Sequence, residues 1–400
     1  MFRGLGANIN AKDGSSSPFF ELIKEFEGGR LFVNAFTPAP DTPRGLACFF
    51  SGEYPALNGC DTRYKYPGRF LQLQHGKSSL LKILQDNNFN TVGLFHQPLK
   101  TFILPQDFNQ NLNCSLELNF SDAINQVKSI ADMKSDLVFF VEDIDFHMAV
   151  DREKMNPIAG QIGNFKVTNN INKLLNEFPQ REKFFDLIIV FSDHGCKFVG
   201  DKTDSVHYLD RDRTQILLYI LESQTQSNLF IDEEFVSLLD IGRVVLDCAG
   251  ITYSEWSGRN YNILSKEGAD NEMPILIEDY RWIVTNREPH RPIVGAFPDA
   301  WIVRDKDRIG FSIDGDIGIF EESALSIMPA RQSLAEVEKF RTSCERFLEE
   351  HATNYKLIRE QFNSIHEMNR YLADLEIGYK DESPFNYHGG KKYRLSRRKR

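Results

Sequence analysis

The chain has 400 residues, 41% of them hydrophobic and 26% charged, the balance of a globular protein long enough to bury a large core and to form two or three domains. Its net charge of −10 gives the body no general attraction for nucleic acid or an anionic membrane. No run of about 18 apolar residues is present to span a bilayer, and the N-terminus lacks the apolar core of a signal peptide. The six cysteines are scattered without a CxxC pair, which argues against a cysteine zinc site or a disulfide framework.

Residues 1–16 are polar, rich in Gly and Ser, and carry little pattern. Residues 18–26 read as a short helix and RLFVNAF, residues 30–36, as a strand. PAPDTPRGLACFFSGEYP, residues 38–55, begins with loop chemistry and turns into a helix. An amphipathic helix over 76–88 leads to a strand at 91–95, and a helix over 121–133 leads to a strand at 137–141. That strand ends in Glu142, Asp143, Asp145 and His147. A helix over 162–178 feeds FDLIIVFSDHG, residues 185–195. Its apolar run reads as a strand buried on both faces of a parallel sheet. A strand follows over 214–221, then a helix over 233–249 stopped by Gly250.

This alternation predicts an α/β fold: a doubly wound, mostly parallel sheet flanked by helices. From residue 273 apolar and polar residues alternate around turns such as Arg304-Asp305-Lys306-Asp307, which predicts a small antiparallel sheet. Residues 335–375 are helical by composition, amphipathic and charged, as suits a helix on the domain surface or a partner helix. The last residues, Lys391 to Arg400, are basic and read as a solvated tail or a tether to an anionic surface. The predicted domains are an α/β unit over 1–265, a small antiparallel subdomain over 266–330, a helical extension over 331–378 and a basic tail over 379–400.

Three strand ends carry polar groups. In open α/β sheets ligands bind beyond the carboxyl ends of the strands. Asp193 beside His194 at such an end, with Gly195 to let the chain turn, is a start on a metal site; a capping Asp and a surface His fit the same residues. Thr42 stands where a helix starts, among backbone N–H groups that favour anions. Its hydroxyl is a poor nucleophile until a metal or base lowers its pKa. An N-cap role for Thr42 or Asp41 fits equally well. Asp143 and His147 are spaced i, i+4.

These residues, taken in order, resemble the alkaline phosphatase/sulfatase superfamily. Its nucleophile segment is echoed by Thr42 and then Phe49-Phe50-Ser51-Gly52-Glu53-Tyr54-Pro55, and its metal motif by Ser192-Asp193-His194-Gly195. LVFFVEDIDFH, residues 137–147, stands where the family has a strand leading to an acidic residue and a His. Residues 240–251 echo its DIAPTLLDLAGI helix. The resemblance covers residues 18–320.

The resemblance implies Thr42 as nucleophile and Asp193 and His194 as ligands of a divalent metal, zinc or manganese on ligand type, with calcium open. It places His147 and His207 where leaving-group or substrate contacts lie. It gives Arg44 the pairing with a non-bridging oxygen, with Lys202 and Arg213 as further candidates. Asp143 and His147 have the spacing of a second metal ion. Thr42 cannot mature to formylglycine, and with Cys48 and Ser51 it looks more like the phosphoethanolamine and phosphoglycerol transferase branch. The implied activity is metal-dependent hydrolysis or transfer of phosphate or sulfate esters, phospho-group chemistry foremost, on a glycan or lipid-linked substrate. The family is often extracytoplasmic.

One departure from the family stands out. The family opens with a strand ending in acidic metal ligands, and no apolar run precedes Asp13 here. This leaves a rival expectation, a truncated or degenerate relative that keeps the fold for binding or scaffolding.

Overall fold

The structure is a computed structural model. It describes residues 28–58, 78–96, 108–114, 125, 128–129, 136–152, 157–178, 184–195, 211–223, 228–252, 256, 258–267, 275–279, 282–288, 291–296, 300–305, 308–313, 316–322, 327–329, 339 and 342. The helix expected at 18–26, most of that at 121–133, all but two residues of the helical segment 335–375, and the basic tail lie outside the described residues.

In chain order the α/β part consists of β1 (Arg30–Phe36), α1 (Thr42–Ser51), α2 (Leu80–Asp86), β2 (Asn90–His96), β3 (Gln110–Cys114), β4 (Leu137–Val141), α3 (Asp145–Arg152), α4 (Pro157–Glu177), β5 (Leu187–Phe191), β6 (Gln215–Ile216), β7 (Leu218–Glu222), β8 (Phe230–Ser237) and α5 (Ile241–Cys248). Short helical turns stand at Pro55–Asn58 and Arg211–Thr214. The α/β class is as the sequence predicts, and its pairing is mixed. β1 runs parallel to β8 but antiparallel to β6 and β7, and β5 is antiparallel to β7. β2 lies between β3 and β4, parallel to both.

Helix α1 joins these two sheets through one core. Phe49 packs on Phe191 of β5 at 4.6 Å between ring centroids, and Phe50 on Phe140 of β4 at 5.5 Å. The two phenylalanines meet each other edge to face at 4.7 Å. Both are buried, as are Leu46 and Ala47 of the same helix. Fully burying one such ring contributes about 1.5–3 kcal/mol, so these contacts bind α1 firmly to the core.

Two expectations change. Residues 233–237 are strand, not helix, and α5 starts only at Ile241. Tertiary pairing overrides the helix propensity of Glu233 and Glu234, because β8 pairs with β1 from Arg30↔Phe230 to Phe36↔Ser237. A capping box then ends the strand: Ser237 Oγ accepts from Leu239 N, and Asp240 accepts from Ser237 N at 2.7 Å. The second change concerns β5. Leu187, Ile188, Ile189 and Val190 are half-buried rather than buried on both faces. Among the described residues β5 is hydrogen-bonded along one edge only, to β7.

Beyond residue 273 the expected antiparallel pattern is present. β9 (Ile275–Asp279), β10 (Trp282–Glu288), β11 (Arg291–Ala296), β12 (Ala300–Asp305), β13 (Arg308–Ile313), β14 (Asp316–Glu322) and β15 (Ile327–Pro329) follow in chain order. β15, β14, β13, β12 and β9 form one sheet in that order, and β10 and β11 pair as a separate hairpin. The predicted turn at 304–307 falls between β12 and β13, where Asp305 stands opposite Arg308; Lys306 and Asp307 lie outside the described residues.

Candidate active site

The site forms where β1 and β5 end. β1 hands the chain to a short turn in which Thr37 Oγ1 donates to Ala39 O at 2.8 Å. Asp41 then caps α1: its backbone is extended and its carboxylate accepts from Arg44 N at 3.2 Å. Thr42 is therefore the first helical residue, and Pro43 beside it removes an N–H that would have no partner there. At the other end Gly52 closes the helix in the left-handed region, φ 68°, and donates to Cys48 O at 2.7 Å.

β5 delivers the second half. Ser192 ties its end to the chain beside it: its backbone N donates to Leu217 O at 3.1 Å, and its Oγ accepts from Leu217 N at 3.0 Å. That side-chain bond falls at the break between β6 and β7, where the sequence predicts one strand. Gly195 N donates to Arg213 O at 2.8 Å. Asp193 and His194 are thus held between two anchored residues. Both are buried.

One glycine lets the halves meet. A Cβ on Gly45 would fall 2.8 Å from Asp193 O and 3.3 Å from Thr37 Oγ1. Without that side chain α1 lies directly on the backbone of Asp193. Thr42 Oγ1 then stands 3.2 Å from His194 Nε2.

The proton on His194 follows from its partners. Nδ1 lies 2.7 Å from Gly195 O, and a carbonyl can only accept, so Nδ1 carries the hydrogen. Burial holds the imidazole below its ordinary pKa; the Asp193 charge opposes this and the Arg213 charge adds to it. The ring is therefore neutral near pH 7, with the Nε2 lone pair aimed at the Thr42 hydroxyl. Asp193 Oδ1 accepts from His194 N at 2.9 Å, and Asp193 Oδ2 lies 3.8 Å from Nε2.

Two separations in this group suit ligands that share one divalent cation. Metal–ligand bonds of about 2.1 Å at tetrahedral angles set neighbouring ligand atoms about 3.4 Å apart. The separations of 3.2 Å and 3.8 Å from Nε2 bracket that value. Among the described residues, no cluster of three His, Cys, Asp or Glu side chains forms. Asp193, His194 and the Thr42 hydroxyl are the group the geometry brings together.

The remaining candidates among the described residues fall in three places. The Arg44 guanidinium is fully buried and sits on Asp41, with Nε and Nη2 at 2.7 Å and 2.5 Å from Oδ2. Arg213 is half-buried and close enough to His194 to act on its charge. Asp143 precedes α3 rather than sharing a helical face with His147. Its Oδ1 accepts from Asp145 N at 2.8 Å and its Oδ2 from Asn170 Nδ2 at 2.9 Å. Burial raises its carboxyl to about 6, against the lowering effect of those two hydrogen bonds. His147 is buried on α3. Lys202 and His207 lie outside the described residues.

The sequence reading missed Asn170, whose amide bonds both Asp143 and Asp145, and it missed Gly45. A glycine three residues after a candidate nucleophile, early in a helix, is a signal for close backbone approach.

No family model matches the sequence, and no curated protein matches it. Solved structures do. A 2-O GAG sulfatase, BT1596, superposes with a TM-score of 0.62 at 11% identity, covering 89% of this chain and 91% of its own. A protein in the alkaline phosphatase superfamily from Vibrio parahaemolyticus gives 0.57 at 13%, covering 89% and 86%. The lipoteichoic acid synthase LtaP from Listeria monocytogenes gives 0.56 at 10%, covering 89% and 91%. The two halves that meet at Thr42 and His194 therefore stand on a known frame, and this chain has the alkaline phosphatase/sulfatase fold.

Proposed function

We propose that the chain is a metal-dependent hydrolase or transferase of phosphate or sulfate esters, with Thr42 as nucleophile and phospho-group chemistry favoured. The observation that carries this reading is the buried contact of Thr42 Oγ1 with the lone pair of neutral His194 at 3.2 Å. That lone pair and the hydroxyl oxygen are placed to bind one cation together, and the N-terminal end of α1 stabilises negative charge on the hydroxyl oxygen once its proton has left. A divalent metal held by Asp193, His194 and Thr42, zinc or manganese on ligand type, would lower the hydroxyl's pKa and draw charge from the ester's non-bridging oxygens.

In the reaction, the Thr42 hydroxyl gives up its proton to solvent, its oxygen forms a bond to phosphorus as the bond to the leaving oxygen breaks, the leaving oxygen takes up a proton, and water or an acceptor hydroxyl then displaces Thr42 from phosphorus. Arg213 serves as the cation for the transferred group's oxygens, since Arg44 is committed to Asp41. His147, and with it His207 and Lys202, serve the leaving group and substrate. Thr42 is only 1% exposed, so the ester enters by displacing what covers the hydroxyl. The sulfatase and the lipoteichoic acid synthase among the structural neighbours support a glycan or lipid-linked substrate by analogy of fold.

The test is Thr42→Ala against Thr42→Ser, assayed on aryl phosphate, aryl phosphodiester and aryl sulfate with zinc or manganese supplied. Thr42→Ala is expected to lose turnover and Thr42→Ser to retain it, with circular dichroism unchanged for both. Equal turnover by wild type and Thr42→Ala ends the nucleophile assignment. No turnover by wild type on any ester would favour a non-catalytic binding role.

A further inference from the structure

We infer that Trp256, at the opposite end of α1 from Thr42, is a positioning residue that sets the position of α1 and so the Thr42–His194 distance; the functional half of this inference rests on the function proposed above. Trp256 is buried in the main core. Its ring lies in a cradle of three glycines from three separate segments. A Cβ on Gly52, Gly242 or Gly258 would fall 2.1 Å, 2.3 Å or 2.5 Å from the indole. Gly52 is the C-cap of α1 and Gly242 belongs to the first turn of α5. The indole is therefore wedged between the end of the nucleophile helix and the start of α5, with no space for a methyl group on either side.

The backbone beside the indole reinforces the wedge. Arg259 N donates to Gly52 O at 3.1 Å, taking up a carbonyl of the C-cap residue. The Arg259 guanidinium reaches Asp240 Oδ1 at 3.2 Å, and Asp240 is the residue that ends β8 through the capping box. β8 is paired along β1, the strand that leads into Thr42. One set of contacts thus runs from the C-cap of α1 through Trp256, Gly258 and Arg259 to the sheet that carries the other end of the site.

α1 is in close contact at both ends. In its first turn Gly45 lies against Asp193 O, and at its C-cap Gly52 lies against the Trp256 indole. The helix is ten residues long, and a close-packed interior passes a displacement at one end on to the other. Thr42 keeps hydrogen-bonding distance from His194 only while both contacts hold.

The test uses Trp256→Leu, which shortens the wedge, and Gly242→Ala, which pushes it from the α5 side. Each variant's crystal structure and its kinetics on aryl phosphate are compared with wild type. Both variants are expected to keep KM within about twofold and to lose kcat by about 10- to 100-fold, the usual effect of an ångström-scale misplacement. The Thr42 Oγ1–His194 Nε2 distance is expected to move from 3.2 Å to beyond hydrogen-bonding range. Trp256→Phe, which keeps an aromatic wedge, is expected to recover most of the kcat. If Trp256→Leu does not fold, Gly242→Ala carries the test alone. An unchanged distance in either folded variant overturns the positioning role. The distance is read without any turnover, so an inactive wild type would count against the proposed function and leave this inference standing or falling on the structures.

Discussion

Gly45→Ala tests whether α1 is seated on Asp193. The new Cβ would lie 2.8 Å from a backbone oxygen, about 0.6 Å short of ordinary contact. The obstacle is main chain at the end of β5, so the helix must give way. A shift of that size takes Thr42 Oγ1 from 3.2 Å to a separation at which a hydrogen bond has largely gone. Stability receives two opposed contributions. Overpacking costs about 1–3 kcal/mol, and replacing Gly by Ala inside a helix returns about 1 kcal/mol. The net change is a loss of up to about 2 kcal/mol, read as a lower urea midpoint. Turnover is expected to fall by about 10- to 100-fold with little change in KM. A higher urea midpoint with unchanged kcat would show that only the helix-propensity gain operates, and would refute the seating of α1 on Asp193.

Four further outcomes are expected. Asp193→Ala should lower bound zinc or manganese, measured by elemental analysis after dialysis, and equal metal in both forms would remove Asp193 from the site. Asp41→Ala leaves the buried Arg44 guanidinium without the carboxylate it sits on and should destabilise by about 3–5 kcal/mol; Asp41→Ala with Arg44→Met should recover part of that, measured by urea unfolding. Asp143 binds its proton more tightly folded than unfolded, because its carboxyl is raised from 3.8 to about 6. Its contribution is therefore fully present below about pH 4 and lost as pH rises through about 6, and Asp143→Asn should flatten the stability profile across that window. Ser237→Ala removes the acceptor for Leu239 N and should cost about 1 kcal/mol by the same unfolding measurement.

The parts of the site that were legible in the sequence are those whose chemistry is contiguous. Ser192 to Gly195 follows an apolar run, and Thr42 follows a strand and a proline-rich turn, so each half announces a strand end. Their meeting depends on residues 152 positions apart, which only the order of motifs could suggest. β8 was unreadable for a different reason. FIDEEFVS carries three acids, and in isolation those acids favour solvent and helix. Their partners come from elsewhere: Arg30 and Lys266 lie at 3.5 Å and 3.9 Å from Asp232, and Lys266 at 2.8 Å from Glu234. A strand whose charges are neutralised from distant residues has no local signature.

Arg44 shows how burial changes the meaning of a residue. In the sequence, a guanidinium two residues after a hydroxyl nucleophile reads as a cation for the ester. In the structure it is fully buried and forked onto the carboxylate that caps the same helix. Moving it to an ester oxygen would take that partner from Asp41 beside Thr42, and an unpaired carboxylate there would repel an incoming anionic ester. Its position instead pairs it with Asp41, so the carboxylate that caps α1 is partly offset by a buried guanidinium. On the proposed function another cation would serve the substrate, and among the described residues Arg213 is the cation whose charge acts on His194.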